Sequence, residues 1–362
     1  MSKHKKRSLL PTWLSLLLSV AFVITGIVVS IFIFLTAEAV LAAARQPFNP
    51  LEEAAIEASS TELPPLVQEG AIPTTSPGQP TPTSIPIPSG AEALENDDRI
   101  TILMMGIDRR PGEPFISRTD TMMLLSVNPR NDTISILSIP RDLYIVIPGR
   151  GRDRINTAFV YGAQGNNPAG GAELAMQTVE YNLGVPVDHY VMVDFNAFIR
   201  AVDAIGGIDV EVPYDIYDSQ FPDMNYGYDP LYIPAGPHHF DGLTALKYAR
   251  TRHQDNDFYR ARRQQQVLLA IRSKVLSLGP TEMLTQAPFL YQQLEEGIRT
   301  DMSLERIVTL ANVVKDIPSE NINSAVLDTN YVVGHRTEGG ASVLVLVNDK
   351  AAALIEELFY DN

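Results

Sequence analysis

Hydrophobic and polar positions divide this chain into three zones. The first is apolar: Ser8 to Ala37 is thirty residues of mostly Leu, Val, Ile, Phe and Ala, with no charge between Arg7 and Glu38. As a helix rising ~1.5 Å per residue it exceeds the ~30 Å hydrocarbon core of a bilayer. Lys3, Lys5, Lys6 and Arg7 precede it and Glu38, Glu52, Glu53 and Glu57 come after it, which predicts a cytoplasmic N-terminus. A cleaved signal peptide is the alternative, since Ala37-Glu38-Ala39 resembles a cleavage site, but secretory apolar regions run only ~7–15 residues. The reading is a retained anchor. From Gln46 to Asp98 ten prolines stand among Ser, Thr and Glu, a composition that favours an extended spacer over a packed core.

Beyond Arg99 the pattern turns globular. Ile100 to Ile107 is a continuous apolar run, and Thr121 to Val127 and Thr133 to Ile139 repeat it around the turn-rich Asn128-Pro-Arg-Asn-Asp132, which predicts three strands, the last two as a hairpin. Helices are expected over Gly171 to Asn182 (stopped by Gly184), Asn196 to Ile205, Leu243 to Tyr248, Phe258 to Leu278, Leu304 to Lys315 and Lys350 to Phe359. Further strands are expected at His189 to Asp194, Ile208 to Val212, Ala325 to Leu327 and Ser342 to Val347, with a polar, tyrosine-rich loop from Pro213 to Tyr232. Such alternation predicts an α/β fold, a three-layer α/β/α sandwich around a mixed central sheet. The expected organisation is a cytoplasmic tail (1–7), a transmembrane helix (8–37), an extracellular linker (38–98) and one large extracellular domain (99–362).

Composition narrows the chemistry. With no cysteine there is no disulfide, thiolate metal site or cysteine nucleophile. A net charge of -15 argues against a surface that tracks nucleic acid. Gly-x-Ser-x-Gly, Walker and His-Glu-x-x-His motifs are missing, and His238 and His239 are adjacent, so in an extended segment they face opposite ways.

Three stretches place acids and arginines at strand ends. In Gly106-Ile-Asp108 and Ser117-Arg-Thr-Asp120, neighbouring strands would bring Asp108 and Asp120 together, where two carboxylates could hold Mg²⁺ with substrate phosphates completing its shell. Equally, Asp108 could cap a turn and Asp120 pair with Arg118. Arg141 in Ser138-Ile-Pro-Arg-Asp142 would project from the same strand end, or else form an ordinary surface ion pair. From Lys247 to Arg263 six cations fall in an otherwise acidic chain, five of them arginine. A solvated basic face is the plain alternative. Arg250 and Arg252 are expected on one side of an extended segment, and Arg260 and Arg263 on one helix face. The guanidinium fork favours an anion with paired oxygens, such as a diphosphate.

Taken in order, GID (106–108), SRTD (117–120), SIPRD (138–142), RIN (154–156), IGGIDVEVP (205–213), DGLTALKYARTR (241–252) and the D-x-D-x-x-R-x-x-RQQ run (255–265) resemble the LytR-CpsA-Psr (LCP) family of bacterial cell-envelope proteins. That resemblance implies a membrane-tethered α/β/α domain facing outward. It would move a glycopolymer, of teichoic-acid type for example, from a polyprenyl diphosphate carrier to peptidoglycan or another wall acceptor, with Mg²⁺ at the diphosphate. It implies Asp108 and Asp120 as acidic, metal-associated and catalytic positions together with Arg141. It also implies Arg118, Arg141, Arg250, Arg252, Arg260, Arg263 and Gln264 as diphosphate-binding, while Arg154 matches a variable position. The chain is expected to lack the extra C-terminal domain of some relatives. An apolar channel for the lipid tail is expected beside the diphosphate. Two other activities fit the same arginines: a non-catalytic polyprenyl diphosphate-binding protein, or a diphosphate hydrolase.

Overall fold

The computed structural model describes residues 99–109, 113–222, 227–252, 256–278 and 296–360. The anchor, the linker and Asp255 lie outside the described residues, among which no helix is long and apolar enough to cross a membrane. Contacts divide the chain into two units, the smaller represented among the described residues by 303–309, the N-terminal part of one helix. The sheet, its cores and the candidate site belong to the larger unit.

In chain order the elements are β1 (Ile100–Ile107), β2 (Thr119–Asn128), β3 (Thr133–Ser138), β4 (Tyr144–Ile147), β5 (Gly151–Arg154), α1 (Ala158–Gly162), α2 (Pro168–Leu183), β6 (His189–Asp194), α3 (Phe195–Ala204) and β7 (Ile208–Val212). After these come β8 (Ile216–Asp218), β9 (Leu231–Ile233), β10 (Gly236–Phe240), α4 (Gly242–Arg250), α5 (Asp257–Ser277), β11 (Ile298–Thr300), α6 (Leu304–Asp316), β12 (Ile322–Val326), β13 (Val332–Arg336), β14 (Ser342–Leu346) and α7 (Asn348–Phe359).

Six strands form the central sheet in the order β11-β6-β1-β2-β3-β12. It is mixed: β1–β2, β2–β3 and β6–β11 run antiparallel, while β1–β6 and β3–β12 run parallel. Strand side chains alternate between faces. Leu103, Met105 and Ile107 therefore join Met122, Leu124 and Leu137 in one core, covered by Ala172, Ala175 and Val179 of α2 and Leu354, Ile355 and Phe359 of α7. Ile100 and Ile102 face the other way with Met123, Val127, Ile134 and Ile136, covered by Leu268 and Leu269 of α5 with Leu310 and Ile317. Helices on both faces give the three layers expected. A third core joins α3, β7, β10, α4 and α5 through Val202, Val210, Phe240, Tyr248 and Val267.

Local signals set most boundaries. Asn167 caps α2 by accepting from Gly170 N at 3.1 Å, Pro168 opens it, and Gly184 ends it in the left-handed region at φ 70°. The helix thus begins three residues before the expected Gly171. Asp194, Asp241 and Asn256 cap α3, α4 and α5 in the same manner.

Two expectations need correction. The 213–232 loop contains β8 and the start of β9, paired at Ile216↔Ile233, Tyr217↔Tyr232 and Asp218↔Leu231. Ile216, Leu231 and Ile233 are buried while Tyr217 and Tyr232 point outward, so each strand is only three residues long and its alternation hides behind exposed aromatics. Arg250 is not in an extended segment. It is the last residue of α4, and the chain leaves the helix at Thr251 (ψ 143°), so Arg250 and Arg252 lie on either side of a bend.

Candidate functional site

The C-terminal end of β1 meets the beginning of β2 at one end of the sheet. Gly106 pairs with Thr121 and Ile107 with Thr119, so Asp120 has no partner across the ladder. Such a bulge redirects the side chain of the extra residue. Gly106 makes room for it, since a Cβ there would lie 3.2 Å from Thr121 Cβ.

Asp120 turns to the next strand end. Ile139 N still bonds Met122 O at 2.9 Å, and the chain then turns at Pro140, whose carbonyl accepts from Leu143 N at 3.1 Å. Arg141 therefore projects at the sheet end, where its Nη1 donates to Asp120 Oδ1 at 2.5 Å. That makes Arg141, rather than Arg118, the ion-pair partner of Asp120. From the long helix, Arg260 Nη2 donates to the backbone carbonyl of Asp120 at 3.2 Å and to Asp257 Oδ2 at 3.0 Å. Arg252 Nη1 lies 3.9 Å from Asp257 Oδ1. Arg250 completes the ring, with Nη2 3.5 Å from Asp108 Oδ2 and its guanidinium carbon 4.3 Å above the Phe195 ring.

The charges feel one another. Burial pulls Arg260 down to about 10, and the nearby charges of Arg141 and Arg252 add to this while Asp257 and Asp120 oppose it. Burial also lowers Arg250, against the pull of Asp108 and Asp120. Burial acts against Arg141 as well, but Asp120, Asp257 and Asp142 outweigh it and its pKa is raised. Asp120, Arg141, Asp257, Arg260 and Gln264 line one narrow recess. Nε of Arg141 and Nε of Arg260 are buried without a hydrogen-bond acceptor. Buried donors rarely stay unpaired. Mutually repelling guanidiniums with spare N–H groups can take an anion, and one with several oxygens satisfies more of them.

Three residues of the expected set make other contacts. Arg263 is 4% exposed and donates from Nε to Tyr248 O at 3.0 Å and from Nη2 to Thr251 O. It secures the end of α4 and hence aims Arg250. Gln264 Nε2 supports the same turn through Ala249 O at 3.2 Å while also reaching the recess. Arg118 lines a separate, larger cleft together with Arg154. Sequence reasoning assigns no role to Asp257, the shared carboxylate of Arg252 and Arg260. It assigns none to Asp218 either, whose Oδ2 accepts from Thr251 Oγ1 at 2.7 Å. Asp257 has a visible signal, three positions before Arg260 on one helix face; Asp218 has none.

As for a metal, no group of three or more acidic or histidine side chains among the described residues could hold one. Asp108 and Asp120 both act on Arg250, which places two hard oxygen donors in one neighbourhood. That set fits Mg²⁺, which uses one or two carboxylates and leaves its other positions to water and substrate phosphate.

Several known proteins are similar to this chain. It is 34% identical over 221 residues to a protein of Oceanobacillus iheyensis named polyisoprenyl-teichoic acid–peptidoglycan teichoic acid transferase TagU, covering 60% of this chain and 64% of the relative. A protein of the same name from Enterococcus faecalis is 32% identical over 222 residues, covering 60% and 66%. The chain thus spans just under two thirds of each relative. Among solved structures, TagT bound to LIIa-WTA is 30% identical with a TM-score of 0.58, covering 73% of this chain and 90% of that one. TagV of B. subtilis is 26% identical with a TM-score of 0.57, covering 74% and 99%. The LytR_cpsA_psr family model matches residues 74–359, a span that includes every arginine and aspartate of the cluster, and the chain therefore belongs to the LytR-CpsA-Psr family.

Proposed function

We propose that this protein is a phosphotransferase that moves a glycopolymer from a polyprenyl diphosphate carrier to a wall acceptor such as peptidoglycan. One observation carries the reading: Arg141 and, more than 100 positions later, Arg250 and Arg260 converge with Asp108 and Asp120 at one sheet end. The names of the relatives, teichoic acid transferases, support it.

In this reading an acceptor hydroxyl attacks the sugar-bearing phosphorus. A new P–O bond forms, the bridging P–O bond breaks, and polyprenyl phosphate departs with the electron pair. Negative charge grows on the phosphoryl oxygens and the leaving phosphate, where Arg141, Arg260 and Arg250 stabilise it; such electrostatic stabilisation is usually the largest catalytic contribution. Asp108 or Asp120 accepts the hydroxyl proton. Mg²⁺, held by the carboxylate that does not take this proton, would supply further charge neutralisation at the diphosphate. Residues 8–37 would anchor the chain in the cell membrane as a single-pass signal-anchor, with the catalytic domain outside.

The test is full-length protein in detergent with a short polyprenyl diphosphate oligosaccharide, an acceptor glycan and Mg²⁺. Expected is joint appearance of polyprenyl phosphate and glycosylated acceptor, abolished by Asp120→Ala while lipid binding persists. Binding without release would mean a lipid carrier, and release without glycan product a hydrolase.

A further inference from the structure

Beside the arginine recess the molecule holds a far larger cavity. It is a cleft of about 1200 Å³ between the β4–β5 and β13–β14 hairpins, closed at one end by α1 and the last turn of α2. That volume exceeds the ~300–1,000 Å³ of ordinary small-molecule pockets. Its lining is mixed: Tyr144, Tyr161 and Tyr181 provide aromatic surface, and Arg118, Arg152 and Arg154 provide charge, with Asp153 and Glu338 as acids. Ile145, Val146, Val160, Val343, Val345 and Leu346 add aliphatic surface to the wall.

The charges are unevenly answered. Asp153 is already engaged, accepting from the Tyr161 hydroxyl at 2.5 Å and from Arg154 N at 2.7 Å. Arg154 is engaged too, donating to Ser342 O at 2.7 Å and lying 3.3 Å from Asp142 Oδ1. Arg152 differs. Burial lowers its pKa, and the phenols of Tyr144 and Tyr181 act against that; no carboxylate among the described residues does. A half-buried guanidinium between two tyrosines, facing an open cleft, is a receptor for an anion carried on something with an apolar face. Sugar rings have that character, offering C–H faces to aromatic rings and polar edges to everything else.

The cleft lies next to the arginine recess. Asp142 lies between them, 3.3 Å from Arg154 Nε and 3.7 Å from Arg141 Nε. Arg118, on the cleft wall, is two positions from Asp120. We infer that this cleft seats an anionic saccharide, its rings against Tyr144 and Tyr181 and its phosphate or carboxylate on Arg152, and so presents a glycan to the diphosphate site. The inference deepens the transferase reading and rests on it for the direction of delivery.

Two sources share this chemistry: a polyol-phosphate polymer of the donor kind and a carboxylate-bearing peptidoglycan fragment of the acceptor kind. The test titrates full-length protein in detergent with a soluble poly(glycerol phosphate) oligomer, with lysozyme-released muropeptide glycan, and with neutral N-acetylglucosamine oligomers. A short polyprenyl diphosphate is titrated in parallel. Expected is binding of one anionic glycan, weakened at least tenfold by Arg152→Gln and by Tyr181→Ala, largely restored by Arg152→Lys, and stronger than that of the neutral oligomer. Polyprenyl diphosphate binding is expected to be unchanged in all three variants. Whichever anionic glycan depends on Arg152 identifies the source. If wild-type protein binds neither anionic glycan, or binds one with no dependence on Arg152 and Tyr181, the inference is overturned even though diphosphate binding stands. Arg152-dependent glycan binding in a protein that ignores polyprenyl diphosphate would keep the cleft and remove the transferase reading.

Discussion

Arg260 Nη2 donates to the backbone carbonyl oxygen of Asp120 at 3.2 Å, tying the long helix to the bulge of β2 across 140 positions of sequence. The same Nη2 also donates to Asp257, one turn back on its own helix, while the buried Nε lacks an acceptor. Lysine keeps the charge but has no Nε and cannot pair bidentately with phosphate. Losing one charge-assisted bond costs ~1.5–3 kcal/mol. Arg260→Lys is therefore expected to lower turnover of a polyprenyl diphosphate glycan by about 10- to 100-fold, since ~1.4 kcal/mol is a factor of ten. Turnover within threefold of wild type would remove Arg260 from the diphosphate site.

Arg263 should respond differently. It spends its hydrogen bonds on the carbonyls of Tyr248 and Thr251, and at 4% exposure it has little surface to offer a ligand. Arg263→Met leaves buried carbonyls unpaired at ~1–3 kcal/mol. Expected is a drop in thermal midpoint together with weakened diphosphate binding through a misaimed Arg250. In contrast, Arg250→Gln is expected to weaken binding with the midpoint nearly unchanged. Normal stability with lost binding in Arg263→Met would make Arg263 a direct ligand after all.

How far the sequence reveals this site depends on residue and distance. The central hairpin is legible because Met122, Leu124 and Leu137 alternate with Met123 and Ile136 at period two, a local pattern. The gathering of Arg141 with Arg250 and Arg260 is legible only through ordered motifs, since no local rule relates residues more than 100 positions apart. Arg263 misleads because a buried guanidinium serving backbone carbonyls looks, in sequence, like one awaiting phosphate. The β4–β5 hairpin and β13, the partner of the expected strand β14, escape notice because Gly-Arg-Asp-Arg and Val-Val-Gly-His-Arg carry too few apolar positions to alternate. The cleft that those elements enclose is hidden with them.

The two aspartates can be told apart by their neighbours. Asp120 is held by Arg141 at 2.5 Å, whereas the Arg250 contact with Asp108 is 3.5 Å. Asp120→Asn removes the carboxylate that keeps Arg141 in place, so turnover should fall at every Mg²⁺ concentration while lipid binding persists through Arg250 and Arg260. Asp108→Asn should chiefly raise the Mg²⁺ concentration needed for half-maximal turnover, with lipid affinity close to wild type. Identical Mg²⁺ dependence in wild type and both variants would remove the proposed metal role from these residues.

The low pKa of Arg260 gives a pH signature with two opposite limbs. Burial, with Arg141 and Arg252 nearby, brings its pKa down to about 10, below that of the unfolded chain. The unfolded state thus holds this proton more tightly, and the cost of burying the charge is fully present below about pH 10. It is relieved as pH rises from there toward the unfolded value, so the Arg260 contribution to stability increases with pH in that window. Diphosphate binding needs the charged form and must go the other way, declining as pH passes about 10. A bound diphosphate favours the charged guanidinium and so raises its pKa, which requires proton uptake on binding near pH 10. Calorimetric titration in buffers of different ionisation enthalpy should detect that uptake at about pH 9.5–10 and little at about pH 7, and Arg260→Gln should abolish it. Equal uptake in wild type and Arg260→Gln would assign the proton to another group and remove Arg260 from contact with the diphosphate.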